Sequence, residues 1–341
     1  MNILYHLTVL PPKIPEAEAL SQEISALRRR FKGELVYLNP NSHSPIYLPR
    51  LLFGLHKLRV LWSREREVQL HHLYNPDPFP FPILRFLRRP VIYTITSGVG
   101  ERLKPGFFNG LAAVAVADER SLKRLEATGV KNGVLVRPGI DTSRFTCSLL
   151  PLRSEIRLMV ASAPWTLAQF QTKGMDALLA AARQNPQIHL VFLWRGVLAE
   201  AMTERVRRLN LAKQVTIIDE LVDVNRVLAG VHASITLATK PGLIKSYPHS
   251  LLDSLAAGKP VLVSRAIPMA DYVQETGCGQ VVEKVTPADI LAAVDVLARD
   301  YDDRAHAARA VGQRDFSQEA MITSYQKVYE AVLAAERVAV V

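Results

Sequence analysis

"KSYPHSLLDSLAAGKPVLVS" (Lys245–Ser264) contains a loop, a short helix, a stop and a strand. The loop runs into Pro248, His249 and Ser250. Leu251, Leu252, Leu255 and Ala256 share one side of the helix, and Asp253 falls on another. Gly258 closes the helix, and Pro260 opens a run of β-branched and apolar residues. A helix that starts at the end of a strand turns unpaired N–H groups outward and forms an anion site. The stretch therefore raises the question of which anion it receives, with a carboxylate one turn in and Lys245 eight residues before it.

The rest of the chain sets the frame. Its 341 residues suit two domains rather than one core. Apolar residues make up 49% and charged residues 22%, a composition that folds rather than stays disordered. No internal repeat or low-complexity tract is present, and no apolar run approaches the ~20 residues of a membrane span. "MNILYHLTVLPP" reads as a first strand, because it lacks a basic leader and a small-residue cleavage site. Cys147 and Cys278 stand alone and far apart, which makes a disulfide scaffold or zinc cluster a poor reading and a reducing cytoplasm the default location.

Charge is uneven. Residues 1–150 carry 21 Lys and Arg against 12 Asp and Glu, a net +9, whereas the remainder carries 21 against 20. Such an excess attracts an anionic partner: a membrane surface, a phosphorylated acceptor or nucleic acid. "RLLFGLHKLRVLWSRER" (Arg50–Arg66) places apolar residues at helical spacing among basic ones. It fits a basic amphipathic helix lying on anionic lipid, or equally a core-facing stripe with a solvated back. Nucleic acid is the weakest of these partners, because no basic stretch carries an aromatic-basic binding motif.

Strand and helix patterns alternate along the chain. "NILYHLTVL", "ELVYL", "VIYTIT", "AAVAVA" and "GVLVRPG" read as buried strands, with a first helix over 16–30. The pattern restarts at "IRLMVAS" after the loop "CSLLPLRS", so a boundary is expected near residue 150. Short apolar strands separated by amphipathic helices form parallel sheets covered on both faces. Two such α/β sheets in tandem bind ligands at the carboxyl ends of their strands, in the cleft between them. Neither half contains GxGxxG, so nothing supports a nicotinamide cofactor.

Several stretches in order resemble one family. "LLDSLAAGKPVLVS" followed by "MADYVQETGCGQVVE" is similar to the C-terminal signature of retaining glycosyltransferases of family 4. "VLVRPGIDTSRF" (Val134–Phe145), with "VAVADERSLKRLEATGV" before it, resembles that family's domain junction. "TKGMDALLAAA" (Thr172–Ala182) resembles the Lys-Gly that opens the first donor-domain helix. The likeness covers 110–335 well and 1–109 mainly in the order of elements. It implies the GT-B fold, two Rossmann-like parallel-sheet domains facing a cleft. Residues 1–150 would form the acceptor domain and 151–341 the donor domain, with a last helix near 318–335 crossing back to the first.

The implied activity is a hexosyl-type transfer (EC 2.4), with retention, from a UDP- or GDP-linked sugar to a glycan or lipid-linked acceptor. It would serve cell-envelope polysaccharide synthesis in the cytoplasm or on the inner membrane face, without metal or other cofactor. The anion is then the diphosphate, met by the N–H groups of Ser250 and Leu251 and by the helix dipole. Asp253 matches the second Glu of the family's E-x7-E pattern and would accept from the ribose hydroxyls. Lys173 would hold phosphate. The family pairs it with an arginine at the end of the first strand of that domain. "ASAPW" has none, and Arg195 in "FLWRG" is the substitute.

Three departures stand out. "PPKIPEAEA" replaces a Gly-Gly loop, Thr96 with Ser97 and Gly98 replaces the usual histidine, and Lys245 replaces the first Glu. His72 is the nearby histidine, either acceptor-side or structural. Lys173 and Lys245 are the candidates for stabilising the departing charge, since a retaining same-face transfer needs no protein nucleophile. The alternative is a catalytically silent GT-B protein that binds a sugar nucleotide as a partner or regulatory subunit. A sugar-nucleotide epimerase would need acid–base carboxylates in the first domain, and none is placed there.

Overall fold

The computed structural model describes residues 1–12, 18–42, 46–100, 103–147, 149–194 and 197–339. The chain divides into two compact units, Met1–Gly139 with Gln318–Val341, and Ile140–Ser317.

In the first unit, β1 (Asn2–Leu7), β2 (Lys32–Tyr37), β3 (Leu70–Asn75), β4 (Val91–Ile95), β5 (Ala113–Val116) and β6 (Gly133–Leu135) form one parallel sheet. Its order is β2-β1-β3-β4-β5-β6. The helices are α1 (Ala19–Arg30), α2 (Leu58–Arg64), α3 (Pro105–Phe108) and α4 (Glu119–Ala127). The Glu18 carboxylate caps α1 by accepting from the Ser21 N–H at 2.8 Å, so the expected helix over 16–30 has its observed start at Ala19. One face of the sheet sets Ile3, Tyr5 and Leu7 against Leu20, Ile24 and Leu27 of α1, and against Met321, Tyr325 and Tyr329 of the final helix, Gln318–Ala339. The other face packs Leu4, Leu73, Tyr93 and Ile95 on Leu61, Phe81 and Phe108.

The Arg50–Arg66 stretch is not one helix. Arg50–Leu52 and Leu55–Lys57 are single 3-10 turns, and only Leu58–Arg64 is α-helical. Gly54 breaks the run at φ 81, where a side chain would also press on Ile83 and Leu38. Both amphipathic readings assumed continuity that this turn removes.

In the second unit, β7 (Ile156–Val160), β8 (Ile188–Leu193), β9 (Val215–Ile218), β10 (Ala233–Thr236), β11 (Val261–Ser264) and β12 (Gly279–Val282) pair in parallel in the order β12-β11-β10-β7-β8-β9. The helices are α5 (Ala168–Thr172), α6 (Met175–Gln184), α7 (Ala199–Arg208), α8 (Val224–Ala229), α9 (His249–Ala256), α10 (Met269–Thr276), α11 (Pro287–Arg299) and α12 (Tyr301–Asp315). The boundary lies at 139/140 rather than near 150, because the residues between belong to this unit. Ile140 donates its N–H to the Phe316 carbonyl at 2.8 Å, Phe145 packs with Met159, Leu193 and Leu228, and Thr146 donates to Asn225 Oδ1 at 3.0 Å. "DYDD" (Asp300–Asp303) opens α12, with Asp302 and Asp303 exposed in its first turn. Among the described residues, no helix is long and apolar enough to cross a membrane.

The polar residues of "LHHLYN" hide β3 from the apolar pattern. All six of its residues are buried. His71 bonds Glu65 Oε1 at 3.0 Å and His6 at 2.9 Å. His72 bonds the Tyr329 hydroxyl at 2.7 Å and Thr94 Oγ1 at 2.8 Å. Burial pushes His72 down to about 3 and holds His6 and His71 below the ordinary imidazole range, with Glu65 partly opposing this at His71. These imidazoles are neutral in the fold and protonate when the chain unfolds. Their stability contribution is complete above ~6.5, the unfolded value, and is lost as pH falls below it.

Two outcomes are expected. Calorimetric stability should fall between pH 7 and pH 5 by up to ~1.4 kcal/mol per pH unit for each such histidine. His72→Gln should flatten that slope even where it lowers stability at pH 7. Separately, Gly174, between α5 and α6, sits at φ 71 with an added Cβ 2.7 Å from Val285 and 2.8 Å from Leu237. Gly174→Ala should cost on the order of 2 kcal/mol or more in denaturant unfolding.

Candidate functional site

The site is built at the carboxyl end of the second sheet. β10 ends at Thr236, and the chain returns through 237–248 to start α9 at His249. Pro248 is the cap, and its carbonyl accepts from Leu251 N–H at 2.9 Å and Leu252 N–H at 3.2 Å. The Leu251 N–H, expected to face an anion, is therefore already engaged within this tight first turn. The Ser250 N–H has no backbone partner among the described residues and remains the donor at the helix start. Leu251, Leu252 and Leu255 are fully buried, while Asp253 is half-buried on another side of α9.

Lys173 belongs to the same end of the sheet. It caps α5, and the Thr239 N–H donates to the Thr172 carbonyl at 2.9 Å, which ties this turn to the segment leaving β10. Its side chain is 7% exposed, its Nζ donates to the Ala163 carbonyl at 3.0 Å, and burial lowers its pKa. Ala163 follows β7, so the ammonium lies beyond two strand ends. Lys245 is half-buried, and its Nζ is shielded from solvent. Arg195 lies outside the described residues. Among the described residues, no group of three His, Cys, Asp or Glu side chains is placed to hold a metal ion.

The first unit presents a second polar group at its own strand ends. Thr96, Ser97 and Gly98 follow β4; Thr96 N–H donates to the Asn75 carbonyl at 3.0 Å and Ser97 N–H to the Pro76 carbonyl at 2.9 Å. The Thr96 hydroxyl is shielded and has no partner among the described residues. His72 is not with them. It is fully buried on β3 between Tyr329 and Thr94, a core histidine rather than an acceptor-side one.

Sequence reasoning missed Arg50, Asn75 and Asp77, which lie beside Thr96. Arg50 donates to Asp77 Oδ2 at 2.9 Å and lies 4.2 Å above the Phe79 ring; Asn75 Nδ2 donates to Asp77 Oδ1 at 2.6 Å. Burial pushes the Asp77 carboxyl up, but the Arg50 hydrogen bond and charge outweigh it and hold it below the usual range. "NPDP" at a strand end was the available signal.

Residues 167–314 match the family model for glycosyl transferases group 1. By sequence, no curated protein matches the chain. Solved structures do. The Anabaena Alr3699/HepE structure in complex with UDP and glucose has a TM-score of 0.72 at 13% identity, covering 97% of this chain and 100% of that one. Sucrose-phosphate synthase from Thermosynechococcus elongatus has a TM-score of 0.71 at 15% identity, covering 98% and 100%. The lipopolysaccharide outer core galactosyltransferase WaaB in its apo form has a TM-score of 0.72 at 10% identity, covering 97% and 99%. With two six-stranded parallel sheets and these neighbours, the chain has the GT-B fold, and its stretch from α5 to α12 is similar to the glycosyl transferases group 1 model.

Proposed function

We propose that the protein moves a sugar from a nucleotide-diphosphate sugar to a glycan or lipid-linked acceptor, with retention and without metal. The observation that carries this reading is the start of α9. A Ser250 N–H with no partner among the described residues, a carboxylate one turn further on, and the buried Lys173 lie at one end of a parallel sheet. Ser250 and Lys173 suit a diphosphate, and Asp253, an acceptor-only group, suits the ribose diol. HepE, similar in fold, binds UDP and glucose.

In the reaction, the bond from the sugar's anomeric carbon to the distal phosphate oxygen breaks and the acceptor oxygen bonds to that carbon on the same face. The acceptor proton passes to the leaving phosphate. The protein's share is positioning and stabilisation of departing charge, by Lys173 and the α9 dipole. On the acceptor side, Thr96, Ser97, Gly98 and the Arg50–Asp77 pair offer both donors and acceptors.

The acceptor is lipid-linked in this reading, which accounts for the first unit's surface. Leu51, Leu52, Val60 and Phe86 are exposed large apolar residues, and Arg59, Arg85 and Arg88 are exposed beside them in the chain. Trp62 Nε1 donates to the Phe86 carbonyl at 2.8 Å and Arg88 lies 5.2 Å from the Trp62 ring, so α2 and the 82–86 turn form one patch. Arg64 is paired with Glu34 and adds little free charge. Such a patch fits the anionic inner face of a membrane.

Asp253→Ala should weaken nucleoside diphosphate binding by ~1.5–3 kcal/mol in titration calorimetry, with folding intact. Unchanged affinity would sink the ribose assignment. Released diphosphate, measured for each nucleotide sugar that shifts the melting temperature, separates a transferase from a silent binder. Binding to vesicles of anionic lipid should weaken at high salt and on neutralising Arg59, Arg85 and Arg88 together. Indifference to such vesicles at low salt would refute the membrane reading.

A further inference from the structure

The buried Lys173 donates to a carbonyl, and the half-buried Arg50 and Arg304 meet Asp77 and Asp300. Lys245 differs. Its Nζ is shielded from solvent and makes no hydrogen bond to any described residue. The hydroxyl of Ser246, a fully buried residue, is equally without a partner, as are the hydroxyls of Thr236 at the end of β10 and Ser162 just beyond β7. These four groups occupy the carboxyl side of the second sheet, the side from which α9 starts. An ammonium withdrawn from water without a counter-charge is unfavourable, and hydroxyls left unpaired add to that cost. At one end of the sheet the set supplies hydrogen-bond donors and a positive charge, which together suit an anionic oxygen.

The contrast with Lys259 sharpens this. Lys259 is also fully buried, and its Nζ has no hydrogen-bond partner among the described residues, but it precedes β11 at the amino end of the sheet. It neighbours Cys147, away from the start of α9. Burial there lowers its pKa to about 8.

We propose that Lys245 is a specificity-determining residue that binds an anionic oxygen of the donor substrate, either on the distal phosphate or on the carboxylate of an acidic sugar. This rests on the reading that α9 holds a nucleotide sugar. Lysine has three donors and no acceptor, so it cannot serve neutral sugar hydroxyls as a carboxylate would. It rewards charge, and a donor that brings negative charge to this position gains selectivity over one that does not.

Calorimetric titration of wild type, Lys245→Met and Lys245→Glu with four probes tests this. The probes are inorganic pyrophosphate, UDP, UDP-glucose and UDP-glucuronate, with the guanosine series in parallel. Lys245→Met should weaken binding of at least one probe tenfold or more, and Lys245→Glu should weaken it further. A loss shared by pyrophosphate and UDP assigns the phosphate. A loss confined to UDP-glucuronate assigns the sugar carboxylate. Melting temperatures report folding, and Lys245→Met should not lower that of the ligand-free protein. Wild type that binds these probes while both variants bind them equally well overturns the role of Lys245 alone. Wild type that binds none of the uridine or guanosine probes overturns the nucleotide-sugar reading, and this inference with it.

Discussion

The donor-side arrangement depends on how closely α9 is held. Gly312 of α12 lies against the backbone of α9. A Cβ at that position would come within 2.4 Å of the Leu255 carbonyl carbon, so no other residue fits without moving a helix. The opposite side of α9 sets Leu251, Leu252 and Leu255 into the second unit at full burial. Clamped between a sheet and a backbone-to-backbone crossing, the helix has little freedom to rotate or slide. Asp253 and the Ser250 N–H inherit that rigidity, and preorganised donors and acceptors contribute more than flexible ones at an anion site. α12 also carries Asp315, whose carboxylate accepts from the Tyr272 hydroxyl, so α10 joins the same brace.

The first unit solves a different problem. Its central strand carries two adjacent histidines, one facing each side of the sheet, in a core that also contains Tyr5, Tyr74, Tyr325 and Tyr329. A buried neutral imidazole is tolerated when both nitrogens are used. His71 uses one for Glu65 and one for His6, and His72 uses one for Tyr329 and one for Thr94. The second pairing ties the final helix, 257 residues away, to the sheet it covers. That bond gives the crossing-over of the last helix a specific polar anchor besides its apolar face.

These long-range partners explain which parts of the fold were legible in the sequence. Strands such as "VIYTIT" and "AAVAVA" declare themselves, because burial on both faces demands apolar residues throughout. β3 does not, since its histidines become core residues only through Glu65, Tyr329 and Thr94. α12 was hidden by its acidic opening, which is a favourable first turn rather than a surface loop. The basic segment looked continuous because spacing alone cannot show that Gly54 takes positive φ. At the site, the position of α9 followed from its apolar pattern and its Pro. That Leu251 N–H folds back on Pro248 is a matter of turn geometry, which residue types do not specify.

The distribution of charge gives the two units separate electrostatic tasks. The first unit, Met1–Gly139 with Gln318–Val341, carries 22 Lys and Arg against 14 Asp and Glu, a net +8, and the second carries 20 against 18. Any long-range attraction of anions therefore belongs to the first unit, and it decays within roughly 8 Å at physiological salt. The second unit cannot draw an anion by its overall field. What it offers is short-range: Lys173 in a pocket that already depresses its pKa, a helix N–H, and hydroxyls with unused hydrogens. In a shielded position, each of these interacts more strongly than it would at the surface. Whatever selectivity the second unit has for an anion therefore rests on short-range geometry rather than on total charge.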